Sequence, residues 1–273
     1  MRFSNTVAVL LLIAACGDEP REARLQGFDA VATPGSAVTL RAKLERHGAL
    51  GIHPDVRGAE LVFRKGHQEL GRARTGRDGL ASLEWRPDPG THELTVELPA
   101  DHAWKGGRAV LRVFVRDASR PVLVIDLDGT ICLGSTREVL SSPPEKVPVF
   151  PGAQAALETL ARSYDLLYLT ARDDALVASS RAWLDHHRFP QGPLLVRDLT
   201  LWTLSAERHK REMLLELKKS FRLAAGVGDR EEDAAAYLAA GMVAILIGDE
   251  TKVPRGARKL VTWAEVAKLL APD

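Results

Sequence analysis

The chain is 273 residues long, with 37 Lys and Arg against 36 Asp and Glu and a hydrophobic fraction of 45%. Such a balance excludes the global field that draws a protein onto nucleic acid or an acidic partner. The length accommodates two domains of ordinary size.

The amino terminus reads as an address and not as part of the fold. Arg2 supplies a positive end, and residues 7–13 form an apolar run too short to span a bilayer. Ile13-Ala14-Ala15-Cys16 then resembles a bacterial lipobox. That resemblance implies removal of residues 1–15 and lipidation of Cys16; the alternative is a plain secretory signal with an incidental cysteine. Removal takes Arg2 with it and leaves 36 basic against 36 acidic side chains. The expected mature protein is electrically balanced and held to a membrane by acyl chains, each buried CH₂ contributing about 0.8 kcal/mol. Residues 16–24 read as a polar tether. Gly17 stands where an Asp would signal inner-membrane retention, which favours the periplasmic face of the outer membrane. Cys132 is the other cysteine, so acylation of Cys16 leaves no intrachain disulfide.

Residues 25–117 read as short strands of period two. Ala37 to Leu44, Ala59 to Phe63, Leu80 to Trp85, Leu94 to Leu98 and Val110 to Val115 are the candidates. Pro34-Gly35, Arg77-Asp78-Gly79, Pro89-Gly90 and Gly106-Gly107 separate them as turn signals. Strands at this spacing predict an antiparallel β-sandwich. The stretch Thr75-Gly76-Arg77-Asp78-Gly79-Leu80-Ala81, followed by Trp85 and Pro89-Gly90, resembles bacterial immunoglobulin-like domains. No cluster of catalytic residue types lies here; His47, His53 and His67 are scattered in expected loops.

After Arg120-Pro121 the periodicity changes. Strands are predicted at 121–126, 165–170, 193–197, 223–228 and 243–247, and helices at 152–163, 173–187, 205–219, 230–240 and 263–270. Strand alternating with helix predicts an α/β unit over 120–273: a Rossmann-like parallel sheet with helices on both faces.

Four motifs follow one another in this half. Asp126-Leu127-Asp128-Gly129-Thr130 closes the apolar run Pro121 to Ile125, so a buried strand delivers two carboxylates at its carboxyl end, where open α/β sheets bind ligands. Thr170-Ala171-Arg172 closes a second strand, bringing a hydroxyl and backbone N–H groups towards the first site. Lys210 lies near the start of an amphipathic helix, in competition with Lys218 and Lys219 at the other end of it, where cations favour the helix dipole. Gly228-Asp229-Arg230, with Asp233 beyond it, is again a strand running into acidic residues. Each has a bland rival: Thr170 as a helix N-cap (although Asp173 is the better cap), Asp233 as an acid at a helix amino terminus, Arg172 and Arg230 as surface arginines.

The order and chemistry of these motifs resemble the haloacid-dehalogenase (HAD) superfamily of phosphatases over about residues 120–248. The resemblance implies Asp126 as the nucleophile that takes the phosphoryl group and Asp128 as general acid and then base. It implies Mg²⁺ held by Asp126, the backbone carbonyl of Asp128, Asp229 and, near the same shell, Asp233. Thr170 and Lys210 would bind phosphoryl oxygens, with Arg172 and Arg230 as candidate substrate contacts. The physics is consistent: a carboxylate approaching a phosphate dianion is repelled, and a divalent cation plus an ammonium offset that repulsion.

Neither the interval from Asp126 to Thr170 nor that from Thr170 to Lys210 has room for an extra lid domain, so the site is expected to be capless and open, within reach of a large or membrane-embedded ester. Within the superfamily, Asp126 to Thr130, Tyr168 to Arg172, His209-Lys210 with Leu214 and Leu217, and Gly228-Asp229-Arg230 with Asp233 resemble the carboxy-terminal domain of lipins and the related phosphatidate-recognising domain of phosphatidylinositol transfer proteins. Lipins also join an immunoglobulin-like sandwich to this domain. Two departures stand out. Ile131 to Ser135 replaces a Lys-Ser-Asp-like stretch, and Asp229 stands where those families often carry Asn.

The expected function is a Mg²⁺-dependent phosphomonoesterase acting through an aspartyl-phosphate on phosphatidate or another membrane-associated ester. A phosphatidate-binding module with little turnover is one alternative, against which the presence of Asp126 argues. A nucleic-acid end phosphatase is another, against which the balanced charge argues, so no nucleic-acid partner is expected.

Overall fold

The computed structural model describes residues 21–47, 53–100, 102–134, 136–197, 206–248 and 252–271. The signal segment 1–15 and Cys16 lie outside them.

The first half is a two-sheet β-sandwich. Its strands are β1 (Arg21–Phe28), β2 (Ala30–Ala32), β3 (Val38–Arg46), β4 (Glu60–Lys65), β5 (Gln68–Arg74), β6 (Leu80–Trp85), β7 (Gly90–Glu97), β8 (Trp104–Lys105) and β9 (Arg108–Val115). One sheet runs β6-β3-β1-β8 and the other β2-β9-β7-β4-β5. Inward residues alternate along each strand and interdigitate between the sheets: Leu40, Leu44, Leu61, Phe63, Leu94, Val96, Leu111 and Val113 are all fully buried. β1 starts at Arg21, inside the stretch expected to be tether. The cause is tertiary: Ala23 to Phe28 pairs antiparallel with β3, and Arg21 and Glu22 pair with β8. β5 escapes the period-two reading because it is a charged edge strand, where Arg72 reaches Glu60 and Glu69 across and along the hairpin.

The second half alternates strand and helix: β10 (Val122–Ile125), α1 (Thr136–Ser141), α2 (Ala153–Leu160), β11 (Asp165–Asp173), α3 (Val177–His186), β12 (Leu194–Arg197), α4 (Ala206–Leu217), β13 (Leu223–Gly228), α5 (Glu231–Ala239), β14 (Val243–Ile247), β15 (Arg258–Leu260) and α6 (Trp263–Leu270). The sheet is parallel throughout, in the order β12-β11-β10-β13-β14-β15. β10 is central and wholly buried because helices cover both faces, which is why Val122 to Ile125 reads as a continuous apolar run. Leu123, Ile125, Trp183 and Trp263 pack on one face, and Val124, Leu169, Leu214 and Tyr237 on the other. Successive crossovers leave β10 in opposite directions, so the chain reverses its winding between β10 and β13. Crevices for ligands form at such switch points, beyond the carboxyl ends of the strands.

The two halves are joined by polar contacts. Asp29, between β1 and β2, accepts from the backbone N–H of Arg112 in β9 at 2.9 Å and from that of Leu194 in β12 at 3.0 Å, and it pairs with the Arg181 guanidinium of α3. One carboxylate thus ties a strand of the sandwich to the edge of the parallel sheet. The Arg112 guanidinium grips Asp185 with two bonds of 2.9 Å.

Truncating this tie strands two backbone donors. Asp29→Ala is expected to destabilise the protein by about 2–4 kcal/mol, read as a lowered urea midpoint. A loss under about 1 kcal/mol would mean that water replaces the carboxylate at no cost and that the junction rests on something else.

Candidate active site

β10 ends in Asp126, whose backbone N–H donates to Val227 of β13 at 2.9 Å. The chain then turns tightly. The carbonyl of Leu127 accepts the N–H groups of Thr130, Ile131 and Cys132, and Gly129 donates to Cys132 at 2.8 Å. The turn needs φ of +73° at Gly129, and a Cβ there would also collide with the Asp229 carboxylate, so both backbone conformation and close approach demand glycine. The fully buried Trp263 locks the turn from α6 by donating its Nε1–H to the Thr130 carbonyl at 3.0 Å.

Asp126, Asp229 and Asp233 converge at the switch point between β10 and β13, with one carboxylate oxygen from each inside a 4.8 Å cluster. Lys210 reaches them from α4. Its ammonium lies 2.5 Å from Asp126 Oδ1 and 2.5 Å from Asp233 Oδ1, and its side chain is buried. Asp233 also accepts from the Arg230 N–H through its other oxygen at 3.2 Å, so it serves the amino terminus of α5 and the cluster together. Lys218 and Lys219 follow the carboxyl end of α4; Lys219 is exposed and pairs with Glu216. Of the three lysines considered, Lys210 is the one the fold brings to Asp126.

Three carboxylates face one ammonium here, and the imbalance shows in their proton affinities. Burial pushes the Asp126 carboxyl up to about 7, with Lys210 pulling it down and Asp233 and Asp229 pushing it further up. Burial, then Asp233, raises Asp229 to about 6. Burial disfavours the Lys210 ammonium, but Asp126 and Asp233 outweigh it and hold its proton above the ordinary lysine range. The deficit of about two positive charges, in a pocket of hard oxygen donors, fits a divalent cation such as Mg²⁺. Asp126 and Asp229 would hold it, with Asp233 adjacent.

The Asp128 side chain stands apart from this cluster. Its oxygens accept from Arg172 Nε at 2.9 and 3.1 Å and from Nη2 at 2.7 Å. Arg172 also donates to Ser180 of α3 at 2.8 Å, and its side chain is fully buried. It was expected as a candidate substrate contact; the fold commits its guanidinium to Asp128 and Ser180. Thr170 is buried beside it and accepts the Arg172 N–H at 3.1 Å. Asp173, the better cap in the sequence, does cap the turn that follows by accepting from the Ala175 N–H at 2.9 Å. Ser180 carries no motif signal, because its role exists only once α3 packs beside β11.

A cleft of about 490 Å³ lies on the Asp229 side of the cluster, lined by Gly129, Phe150, Asp229, Arg230, Glu232 and Gly248. Arg230 extends into solvent at its rim, 3.9 Å from Asp229, free to meet an anionic group entering there. Over this side of the sheet the described residues between Asp126 and α2 contribute α1 and a short turn at Pro144–Lys146, not a lid domain.

A family model described as the LNS2 domain of PITM 1-3 matches residues 123–247, the segment that carries every residue of the cluster. No curated protein matches the chain. Among solved structures, the Pnkp1/Rnl/Hen1 RNA repair complex is similar at 20% identity and a TM-score of 0.41 over 48% of this chain, which spans 44% of that one. The D,D-heptose 1.7-bisphosphate phosphatase from B. bronchiseptica, complexed with magnesium and phosphate, is similar at 19% identity and 0.45, covering 55% of this chain and 97% of that one. A HAD-superfamily hydrolase from Geobacter sulfurreducens follows at 18% and 0.41, covering 56% and 98%. Likeness at this level says nothing about substrate.

If the carboxylates are a cation site, calorimetric titration of the protein with Mg²⁺ will show saturable binding, and Asp229→Asn will weaken it by at least about tenfold. Wild-type protein that takes up no Mg²⁺ would refute the assignment.

Proposed function

We propose that this protein is a Mg²⁺-dependent phosphomonoester phosphatase that works through an aspartyl-phosphate on Asp126. The observation that carries this reading is the Lys210 ammonium bridging Asp126 and Asp233 beside Asp229, which itself lines an adjoining cleft. The LNS2-type match over the same residues supports a phosphatase.

The chain's own groups divide the work. Lys210 binds a phosphoryl oxygen and favours the ionised form of Asp126 against its burial. Thr170 would offer its hydroxyl to another phosphoryl oxygen. Asp126 attacks phosphorus as the bond to the leaving alcohol breaks, and Asp128 gives that alkoxide a proton. The carboxylate of Asp128 then takes a proton from water as that water attacks phosphorus; the bond between phosphorus and Asp126 breaks, freeing inorganic phosphate and the Asp126 carboxylate. Arg172 orients Asp128, holding Oδ1 while Oδ2 carries the proton and both oxygens once the carboxylate is free. A bound Mg²⁺ would neutralise charge on the phosphoryl oxygens and on Asp126. At the rim, Arg230 attracts the incoming phosphate ester.

The substrate is phosphatidate or another phosphate ester presented at a membrane. Support comes from the lipobox-like segment ending at Cys16, which implies a lipid anchor in the bacterial envelope, and from a cleft over which the described residues form no lid domain. The sandwich is read as immunoglobulin-like, in keeping with its two packed sheets.

Phosphate release from phosphatidate vesicles and from soluble monoesters, with and without Mg²⁺, tests the proposal. Release is expected only with Mg²⁺, favouring the vesicles, and Asp126→Asn should lower it by on the order of 10³. Full activity in that variant, or no release from any ester by the wild type, would overturn it.

A further inference from the structure

The outward face of β3 changes character partway along. Thr39 and Arg41 are exposed, as alternation dictates, but Lys43 and Glu45 on the same face are buried. Lys43 meets the α/β unit there. Lys43 Nζ lies 3.0 Å from Asp174 Oδ2, 3.3 Å from Glu45 Oε1 and 3.5 Å from Asp55 Oδ1. Glu45 is held in turn by Gln26 Nε2 at 2.9 Å. Burying an ammonium among carboxylates is a weak way to stabilise an interface, since apolar residues of similar volume often do as well or better. A cluster of this kind fixes geometry.

What it fixes is the segment just beyond Thr170 and Arg172. β11 pairs with β12 at Tyr168 and Leu169 and again at Asp173, and the register breaks between them. Thr170, Ala171 and Arg172 therefore bulge out of the β11–β12 ladder, and the anchors on either side of the bulge decide where they sit. The sandwich supplies one of those anchors twice. Lys43 holds the Asp174 carboxylate, and Arg24 of β1 donates to the Ala175 carbonyl. Two residues upstream of Asp174, the buried Arg172 guanidinium grips Asp128.

We propose that the sandwich is a working part of the catalytic centre: Lys43, by clamping Asp174, is a positioning residue that sets Arg172 and thereby aims the Asp128 carboxyl at the leaving group. This rests on the phosphatase reading above and deepens it. Loss of the clamp lets the bulge relax, leaving Asp126, Lys210 and the cation site in place while the proton donor drifts.

The signature is leaving-group dependence. p-Nitrophenolate departs with little help from an acid, whereas an alkoxide needs its proton. Full-length Lys43→Met keeps the stem and removes the charge. Its kcat/KM for an alkyl phosphate is expected to fall about tenfold or more, and that for p-nitrophenyl phosphate less than about threefold. Mg²⁺ affinity should be unchanged, and Lys43→Arg should restore most of the alkyl activity. A general loss of folded protein would depress both esters together and leave their ratio alone. Should Lys43→Met not fold, the same ratio is read in Asp174→Asn, which keeps an oxygen for Lys43 but loses the ion pair. An unchanged alkyl-to-aryl ratio in a folded, active variant overturns the role of Lys43 alone. Absence of phosphate release in the wild type overturns the phosphatase reading itself.

Discussion

Three carboxylates crowd a single ammonium at the carboxyl end of β10, and the rest of the catalytic half is arranged around that imbalance. Burying Asp126 and Asp233 beside the half-buried Asp229 is costly, and Lys210 offsets only part of the cost. The raised proton affinities of Asp126 and Asp229 register the remainder. A fold tolerates such a corner when a cation and an anionic substrate complete it. The glycine at 129 is part of the same constraint, since only a residue without a Cβ lets the Asp229 carboxylate come so close to the turn.

A second charge system lies beside the first and is balanced. Asp128 has its own arginine, and that arginine has its own serine. The two aspartates of one motif, a single residue apart, thus meet opposite surroundings: Asp126 in a buried, electron-rich cluster, Asp128 partly exposed against a guanidinium. Different environments are what allow neighbouring carboxylates to take different parts in one reaction. The division is set by the strands on either side of β10, because Asp229 and Asp233 follow β13 and Arg172 follows β11.

The sandwich belongs to this arrangement and is not appended to it. Asp29 closes backbone donors on both sides of the junction, and Lys43 and Arg24 hold the turn that follows Arg172. Polar contacts of this kind fix register between two bodies more sharply than an apolar face, because each buried group loses its partner if the bodies slide.

Much of this was legible in the residues alone. The run Val122 to Ile125 could only be a doubly covered strand, the helix of residues 206–217 announced itself by its amphipathic period, and the strand-to-motif junctions placed Asp126, Thr170, Lys210 and Asp229 at one end of one sheet. Local pattern settles such matters because burial on two faces or one leaves a period in the sequence. Short or charged edge elements left none: β5 and β15 are held by their neighbours, and β1 runs into the expected tether because β3 and β8 are there to pair with it. The partner of Arg172, the choice of Lys210 over Lys218 and Lys219, and the burial of Lys43 were decided only in three dimensions. Each depends on what a distant segment brings alongside, and no periodicity within a strand or helix encodes the identity of a neighbour that arrives through packing.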